Sequence, residues 1–221
     1  MAVPDLHTQT VNLLGPAGSG KGTQAAFLEQ RNGFSFFSTG NQLKAEIAAQ
    51  SALGRKIEST VRAGRLVPSE SVQILLERFL KKLPVAANLV VDGFTRNLEQ
   101  LRVFENAMQK AGRTPIHILI DIPEAESRKR LAQRTVCEGC GTSPSALNLK
   151  EADCTACGGN LVRRYDDENP KAVDQRVSLY KTEVLPVVEL LSKSDKLFRV
   201  NGEQTREEVL KEILSIIGVD A

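Results

Sequence analysis

Two stretches of the chain hold residues whose types and spacing suit chemistry. The first is Gly15-Pro16-Ala17-Gly18-Ser19-Gly20-Lys21-Gly22-Thr23. Glycines at 15, 18 and 20 let the backbone curl so that its N–H groups face an anion. The helix that follows adds a favourable dipole, and Lys21 is a point charge that reaches β- and γ-phosphates. The second stretch is Cys137-x-x-Cys140, then 13 residues, then Cys154-x-x-Cys157. In a reducing compartment two such knuckles read as a tetrahedral Zn²⁺ site before they read as disulfides, with unligated or oxidised thiols as the alternative. Four sulfur ligands leave no open coordination position, so the metal would be structural.

The elements around these residues alternate, as in an α/β fold with a parallel sheet flanked by helices. Residues 10–14 form an apolar run ending at the glycine loop, and Ala25 and Leu28 give the next segment a helical face. Strand-like runs recur at 34–37, 88–92, 116–121 and 197–200. Between them Leu43 and Ile47, then Leu53, Ile57 and Val61, mark two short amphipathic helices. Val72, Leu75, Leu76, Phe79 and Leu83 mark a third, and Leu98, Leu101, Phe104 and Met108 a fourth. Residues 123–134 read as a basic helix and 170–192 as one more. Thr205-x-x-Glu208 is a capping box opening a last helix through Val209, Ile213 and Ile217. Residues 135–165 carry few large apolar side chains and read as an insertion outside the main core. So small a module has no self-sufficient core, and metal binding would supply its folding free energy.

Composition sets the outer limits. The chain has 221 residues, 41% hydrophobic and 25% charged, which suits a globular protein. Lys plus Arg is 29 against 27 for Asp plus Glu, too even for a general phosphate-backbone binder, and 5% aromatic content gives little stacking platform for single strands. The knuckles bracket polar residues with little basic character, against a nucleic-acid zinc ribbon. No apolar stretch approaches the roughly 20 residues that span a bilayer, and the N-terminus has no secretory pattern. The expectation is a cytoplasmic protein with no nucleic-acid or membrane partner, monomeric by default.

Further motifs carry a family resemblance over nearly the whole chain. The Gly22-Thr23 pair after Lys21 resembles the nucleoside monophosphate kinases. Ser38-Thr39-Gly40, Asp92-Gly93-Phe94-Thr95-Arg96, Arg164-Tyr165-Asp166-Asp167 and Val200-Asn201-Gly202 resemble motifs of the adenylate kinases, and the four-cysteine insertion resembles the zinc-bearing lid of their long bacterial form. The resemblance implies a P-loop core made of residues 1–38, 69–131 and 169–221, a monophosphate-binding segment at 39–68 and a lid at 132–168. It also implies reversible transfer, MgATP + AMP = 2 ADP. ATP would be held by Gly15, Ala17, Gly18, Ser19, Gly20, Lys21, Gly22 and Thr23, with Arg130, Arg134, Val200 and Gly202. AMP would lie against Thr39, Gly40, Lys44, Leu66, Val67, Gly93, Arg96, Gln100, Arg164 and Arg176. Asp92 would hold Mg²⁺ through water, and Lys21, Arg96, Arg130, Arg134, Arg164 and Arg176 would be the catalytic cations.

The chain departs from the family at four places. Its STGNQLK has Asn41 for an acid and Lys44 for an arginine, which keeps a charge and loses a bidentate fork. Thr95 stands where the family's DGFPR motif has proline. The spacing from Asp166 to Arg176 is one residue longer than usual, and the lid is short between its knuckles. Asn41, Lys44 and Thr95 motivate an alternative acceptor monophosphate, and a nucleotide-binding regulator without turnover is a further reading.

The chemistry explains the residue types. Phosphoryl transfer passes through a loose, highly charged transition state, and a phosphate nucleophile is already ionised at neutral pH. No general base is required. His7 falls in the N-terminal tail and His117 inside a strand, where it reads as structural. Arg128 and Lys129 read as a solvated helix face, Asp121 as a turn residue, and Asp166 and Asp167 as either lid pins or solvated loop.

Overall fold

Short apolar strands that alternate with amphipathic helices can bury both faces of a parallel sheet, and this chain folds that way. The computed structural model describes residues 8–139, 143, 153–154, 157–164, 167 and 169–219. The order is β1 (Thr10–Leu14), α1 (Lys21–Asn32), β2 (Ser35–Ser38), α2 (Thr39–Ala48), α3 (Ala52–Arg62), α4 (Ser69–Leu80), β3 (Leu89–Asp92), α5 (Leu98–Lys110), β4 (Pro115–Asp121), α6 (Glu124–Gln133), β5 (Thr135–Cys137), β6 (Leu161–Arg163), α7 (Pro170–Leu179), a π-helical turn (Tyr180–Val184), α8 (Leu185–Lys193), β7 (Leu197–Asn201) and α9 (Arg206–Ile217).

Among the described residues the main sheet has five strands in the order β2-β3-β1-β4-β7, all parallel. Side chains alternate across it. Val11, Leu13, Val90, Ile118 and Ile120 pack with α1 and α9 on one face. Leu89 and Val91 pack with Leu75 and Leu76 of α4 and Phe104 of α5 on the other, and Leu14 and Leu119 pack with Val187, Val188 and Leu191 of α8. The strands are buried on both sides, which is why their sequences read as short apolar runs.

This order has a functional consequence. Strand β1 lies between β3 and β4, and the chain leaves the carboxyl ends of β1 and β3 in different directions. Open α/β sheets bind ligands at such a switch point. The register pairs Leu13 with Asp92, so the acid at the end of β3 stands beside the loop that follows β1.

The 170–192 pattern differs from one continuous helix. Pro186, in the first turn of α8, has no N–H and would clash with the carbonyl four residues back. The helix widens instead, and the Leu185 N–H donates to Tyr180 O across five residues. The ends of the insertion pair as an antiparallel ribbon, Thr135 with Arg163 and Cys137 with Leu161, and an isolated bridge joins Asp153 to Asn160. Among the described residues no helix is long and apolar enough to cross a membrane. His7, Cys140, Tyr165 and Asp166 lie outside the described residues.

Candidate active site

The loop between β1 and α1 forms the floor of a cleft of about 1190 Å³. Gly15 adopts φ +141, and a Cβ there would lie 2.3 Å from Ile120 O and 2.8 Å from Ser19 Oγ, so no side chain fits. Gly20 caps α1 at φ +102, left-handed geometry that turns the helix's first N–H groups toward the cleft. Lys21 Nζ donates to Gly15 O at 2.9 Å, Pro16 O at 2.7 Å and Ser19 Oγ at 3.3 Å. Burial pushes the Lys21 ammonium down to about 8; Asp92 opposes the shift, and Arg96, Arg134 and Arg176 add to it.

Helix α6 is docked on this loop. Ser127 Oγ donates to Ala17 O at 2.6 Å, and a Cβ on Gly18 would lie 3.2 Å from Ser127 O. That contact aims two arginines. Arg130 donates through Nε to Glu126 Oε1 at 2.7 Å and through Nη2 to Gly202 O at 2.9 Å. Arg134, at the C-cap of α6, donates to both carboxylate oxygens of Asp167, at 2.6 and 3.0 Å. Arg176 of α7 donates to Asp167 Oδ1 at 2.5 Å. Asp167 is therefore a buried pin and not solvated loop. Burial first, then the Arg164 charge, holds the Arg134 guanidinium below its ordinary value. Arg164 lines the same cleft, and its backbone N–H donates to Arg134 O at 3.3 Å.

The opposite wall comes from β3 and the helices after β2. Ser38 caps α2 by accepting from the Asn41 N–H at 3.3 Å, which places Thr39, Gly40 and Lys44 along the cleft. Thr39 is buried, and its Oγ1 has no hydrogen-bond partner among the described residues. Arg96 Nε donates to Gly93 O at 3.0 Å. Gln100 accepts from the Arg96 N–H at 3.0 Å and donates to Val67 O at 3.3 Å, tying the arginine's loop to the segment before α4. Leu66, Val67 and Asp92 also line the cleft. Of the residues expected around nucleotide, Val200 is the exception: its side chain sits in the core with Ile120, and it does not border the cleft.

The cysteines form a separate cluster. Cys137, Cys154 and Cys157 hold their sulfurs within 4.8 Å of one another, and the Cys137 and Cys157 sulfurs are 3.4 Å apart. That is far beyond a disulfide bond of about 2.05 Å. It is near the roughly 3.8 Å between sulfurs that Zn–S bonds of about 2.3 Å give in a tetrahedron. A Cβ on Gly159 would lie 3.0 Å from Cys137 Sγ and 3.4 Å from Cys157 Sγ. The Cys154 and Gly158 N–H groups donate to Gly159 O and Cys154 O, at 2.8 and 2.6 Å, making the turn that brings the second knuckle back. Soft donors, this spacing and a glycine-lined cradle all fit zinc.

The adenylate kinase family model matches residues 13–196. The chain belongs to the adenylate kinase family. The adenylate kinase of Thermosipho melanesiensis is 36% identical over 211 residues, covering 92% of this chain and 97% of its own. That of Thermosipho africanus is 33% identical over 208 residues, with 92% and 97% covered, and that of Hydrogenobaculum sp. 34% over 209 residues, with 93% and 98% covered. As a member of this family the chain is an enzyme, a nucleoside monophosphate kinase that transfers a phosphoryl group. Adenylate kinases use Mg²⁺ with ATP, and an anionic oxygen donor, Asp92, stands beside the phosphate loop.

Other features of the cleft had little or no signal in the sequence. Arg206 lines it, its guanidinium held low by burial and then by Arg130, yet it reads as an ordinary first-turn residue of α9. Tyr180 lines it from the π turn, its phenol pushed up to about 12 by burial and by Asp121. Ser127 reads as a small polar residue on a basic helix, and only the fold brings it to Ala17. Arg128 forms exposed ion pairs with Glu124 and Asp174, and Lys129 one with Glu126, outside the cleft.

Proposed function

We propose that this chain catalyses MgATP + AMP = 2 ADP, with the ATP phosphates on the glycine loop and Lys21, and AMP between Thr39, Lys44, Arg96 and Gln100. The observation that carries this reading is one cleft lined by the Lys21 loop, by Thr39 with a buried hydroxyl that has no partner among the described residues, and by Arg96, Arg134, Arg164 and Arg176. Such a site can hold two phosphate-bearing ligands end to end, with cations around the point where they meet.

In this reading the loop N–H groups and Lys21 hold the β- and γ-phosphates, and Arg96 holds the acceptor phosphate so that its oxygen approaches in line. Arg134, Arg164 and Arg176 balance charge spreading over the transferred group, the term that dominates such reactions. Arg130, hydrogen-bonded to Gly202 O, borders the donor nucleotide. Asp92 would hold Mg²⁺ through water, and the ion would supply positive charge against that of the phosphates. No side chain need take a proton. Closure of the 39–68 and 132–168 segments over the 1–38, 69–131 and 169–221 core would exclude water from the arginines. Zinc held by Cys137, Cys154 and Cys157, with Cys140 as the fourth thiolate, would stabilise the lid and take no part in transfer.

The test is a coupled transfer assay with MgATP against AMP, GMP, CMP, UMP and dTMP, with Lys21→Ala as the blank. Fast transfer to AMP alone is expected. Preference for another base would move the specificity to the Asn41 and Lys44 wall, and nucleotide binding without transfer to any acceptor would overturn the enzymatic assignment of these residues.

A further inference from the structure

Strands β1 and β4 each bury a polar side chain within the sheet, and the two meet. Asn12 of β1 and His117 of β4 are 0% and 1% exposed, and Asn12 Nδ2 lies 3.0 Å from His117 Nδ1. The other N–H of the same amide donates to Thr95 Oγ1, also at 3.0 Å. Thr95 is buried, borders the cleft and directly precedes Arg96. Rings wall the network off: His117 lies edge-on to Phe104 at 6.1 Å, and Phe104 packs on Phe94 at 5.6 Å.

We propose that Asn12, seated against His117, is a positioning residue, which acts through Thr95 to fix the Arg96 loop relative to the phosphate loop.

Three observations support this. First, the amide spans two functional elements. Asn12 lies on the strand that leads into Gly15, while Thr95 belongs to the loop that presents Arg96, so the bond sets one phosphate-binding element against the other. Transfer between two bound phosphates is sensitive to that distance. Second, the network carries a cost. Asn12 Oδ1 is buried with no hydrogen-bond partner among the described residues. An apolar side chain would avoid that penalty, so stability alone does not explain the amide. Third, the loop needs an outside anchor. Threonine replaces the proline of the family motif at 95, so the backbone ahead of Arg96 lacks a ring to set its φ, and the hydroxyl's bond to β1 supplies a constraint. The ring of His117 is held neutral, its pKa lowered to about 4 by burial and by Lys196, so Nδ1 can accept from Asn12.

The inference rests on the reading of Arg96 as the residue that binds the acceptor phosphate, and the experiment separates the two. Steady-state kinetics would be run on wild type, Thr95→Val, Thr95→Ser, Asn12→Leu, the Asn12→Leu/Thr95→Val double variant and Arg96→Ala. Thr95→Val keeps the shape and loses the hydroxyl. It should raise KM for AMP about tenfold and lower kcat several-fold while KM for ATP stays within twofold. Thr95→Ser should restore both constants, and the double variant should be no worse than the worse single one, because all act through one bond. The proposal is overturned if Thr95→Val behaves as wild type, if Thr95→Ser is as impaired as Thr95→Val, if the two single effects multiply, or if both KM values rise together. Should Asn12→Leu not fold, the Thr95 pair decides alone. If Arg96→Ala leaves KM for AMP unchanged, the site assignment itself fails, whatever the Thr95 variants do.

Discussion

Arg134 and Asp167 face each other as a fork on a carboxylate, with Nε and Nη2 at 2.6 and 3.0 Å from the two oxygens and the Asp167 side chain 0% exposed. Arg176 adds a third bond to the same carboxylate, so one buried anion holds two of the cations that line the cleft.

Asp167→Asn keeps the shape and removes that anion. Breaking a buried pair from one side costs about 3–5 kcal/mol, because the remaining charge stays desolvated. At roughly 2–4 °C per kcal/mol for a chain of this size, the melting temperature should fall by on the order of 10 °C. Part of the loss should return with saturating ATP and AMP, whose phosphates supply the missing negative charge. Thermal scans with and without nucleotides check this. A variant that melts like the wild type would show that the arginines are not paired through Asp167.

Lys21 should make nucleotide affinity depend on pH. Its pKa is about 8 in the free site against an ordinary 10.5, with burial as the main cause. Bound phosphates raise it, so above pH 8 each binding event takes up a proton and ATP affinity falls by up to tenfold per pH unit. Below pH 8 the lysine contributes no slope. Calorimetric titration between pH 7 and 9.5 reads the effect directly, and Lys21→Arg, always charged, should bind with a flat profile. A flat wild-type profile would contradict the expectation.

His117 makes stability depend on pH in the acid range. The folded state holds it at about 4 against an ordinary 6.5, through burial and then Lys196. Between those values the unfolded chain binds a proton that the native state refuses, so stability is full above pH 6.5 and falls as pH drops toward 4. The window corresponds to about 3 kcal/mol. Urea unfolding from pH 7 to 4 should show this decline, and His117→Gln should remove its share of the slope whatever its absolute stability.

Much of this molecule was legible before its structure. The strands announced themselves as apolar runs, and the capping box at Thr205 and Glu208 forms as read. The loop at 15–23 was legible because a phosphate cradle needs glycines and a lysine in fixed order. What stayed hidden was tertiary. Pro186 interrupts a helix without ending it, because the π turn absorbs the lost donor. Asn12 and His117 look like isolated polar residues in two strands more than 100 positions apart (|i−j| = 105), and only the β1–β4 pairing brings them together. Asp167 could have been solvated or a pin, and the choice depended on Arg134 and Arg176 arriving from opposite sides.

The cysteine cluster gives a prediction that separates lid from core. Cys137, Cys154 and Cys157 belong to a segment with little apolar surface, whereas the five-stranded sheet has its own buried layers on both faces. Metal removal should therefore unfold the lid locally and leave the core standing. Metal analysis should find one zinc per chain. Chelation should abolish transfer and expose residues 135–163 to protease, while far-UV circular dichroism changes only slightly. Gly159→Ala tests the cradle itself, since its Cβ would lie 3.0 Å from Cys137 Sγ and 3.4 Å from Cys157 Sγ. Crowding two ligands at once should weaken zinc affinity about tenfold, roughly 1.4 kcal/mol, in a competition titration against a chromogenic chelator. Unchanged affinity in that variant would mean that the sulfurs gather around the metal in a different geometry, with Gly159 outside their contact shell.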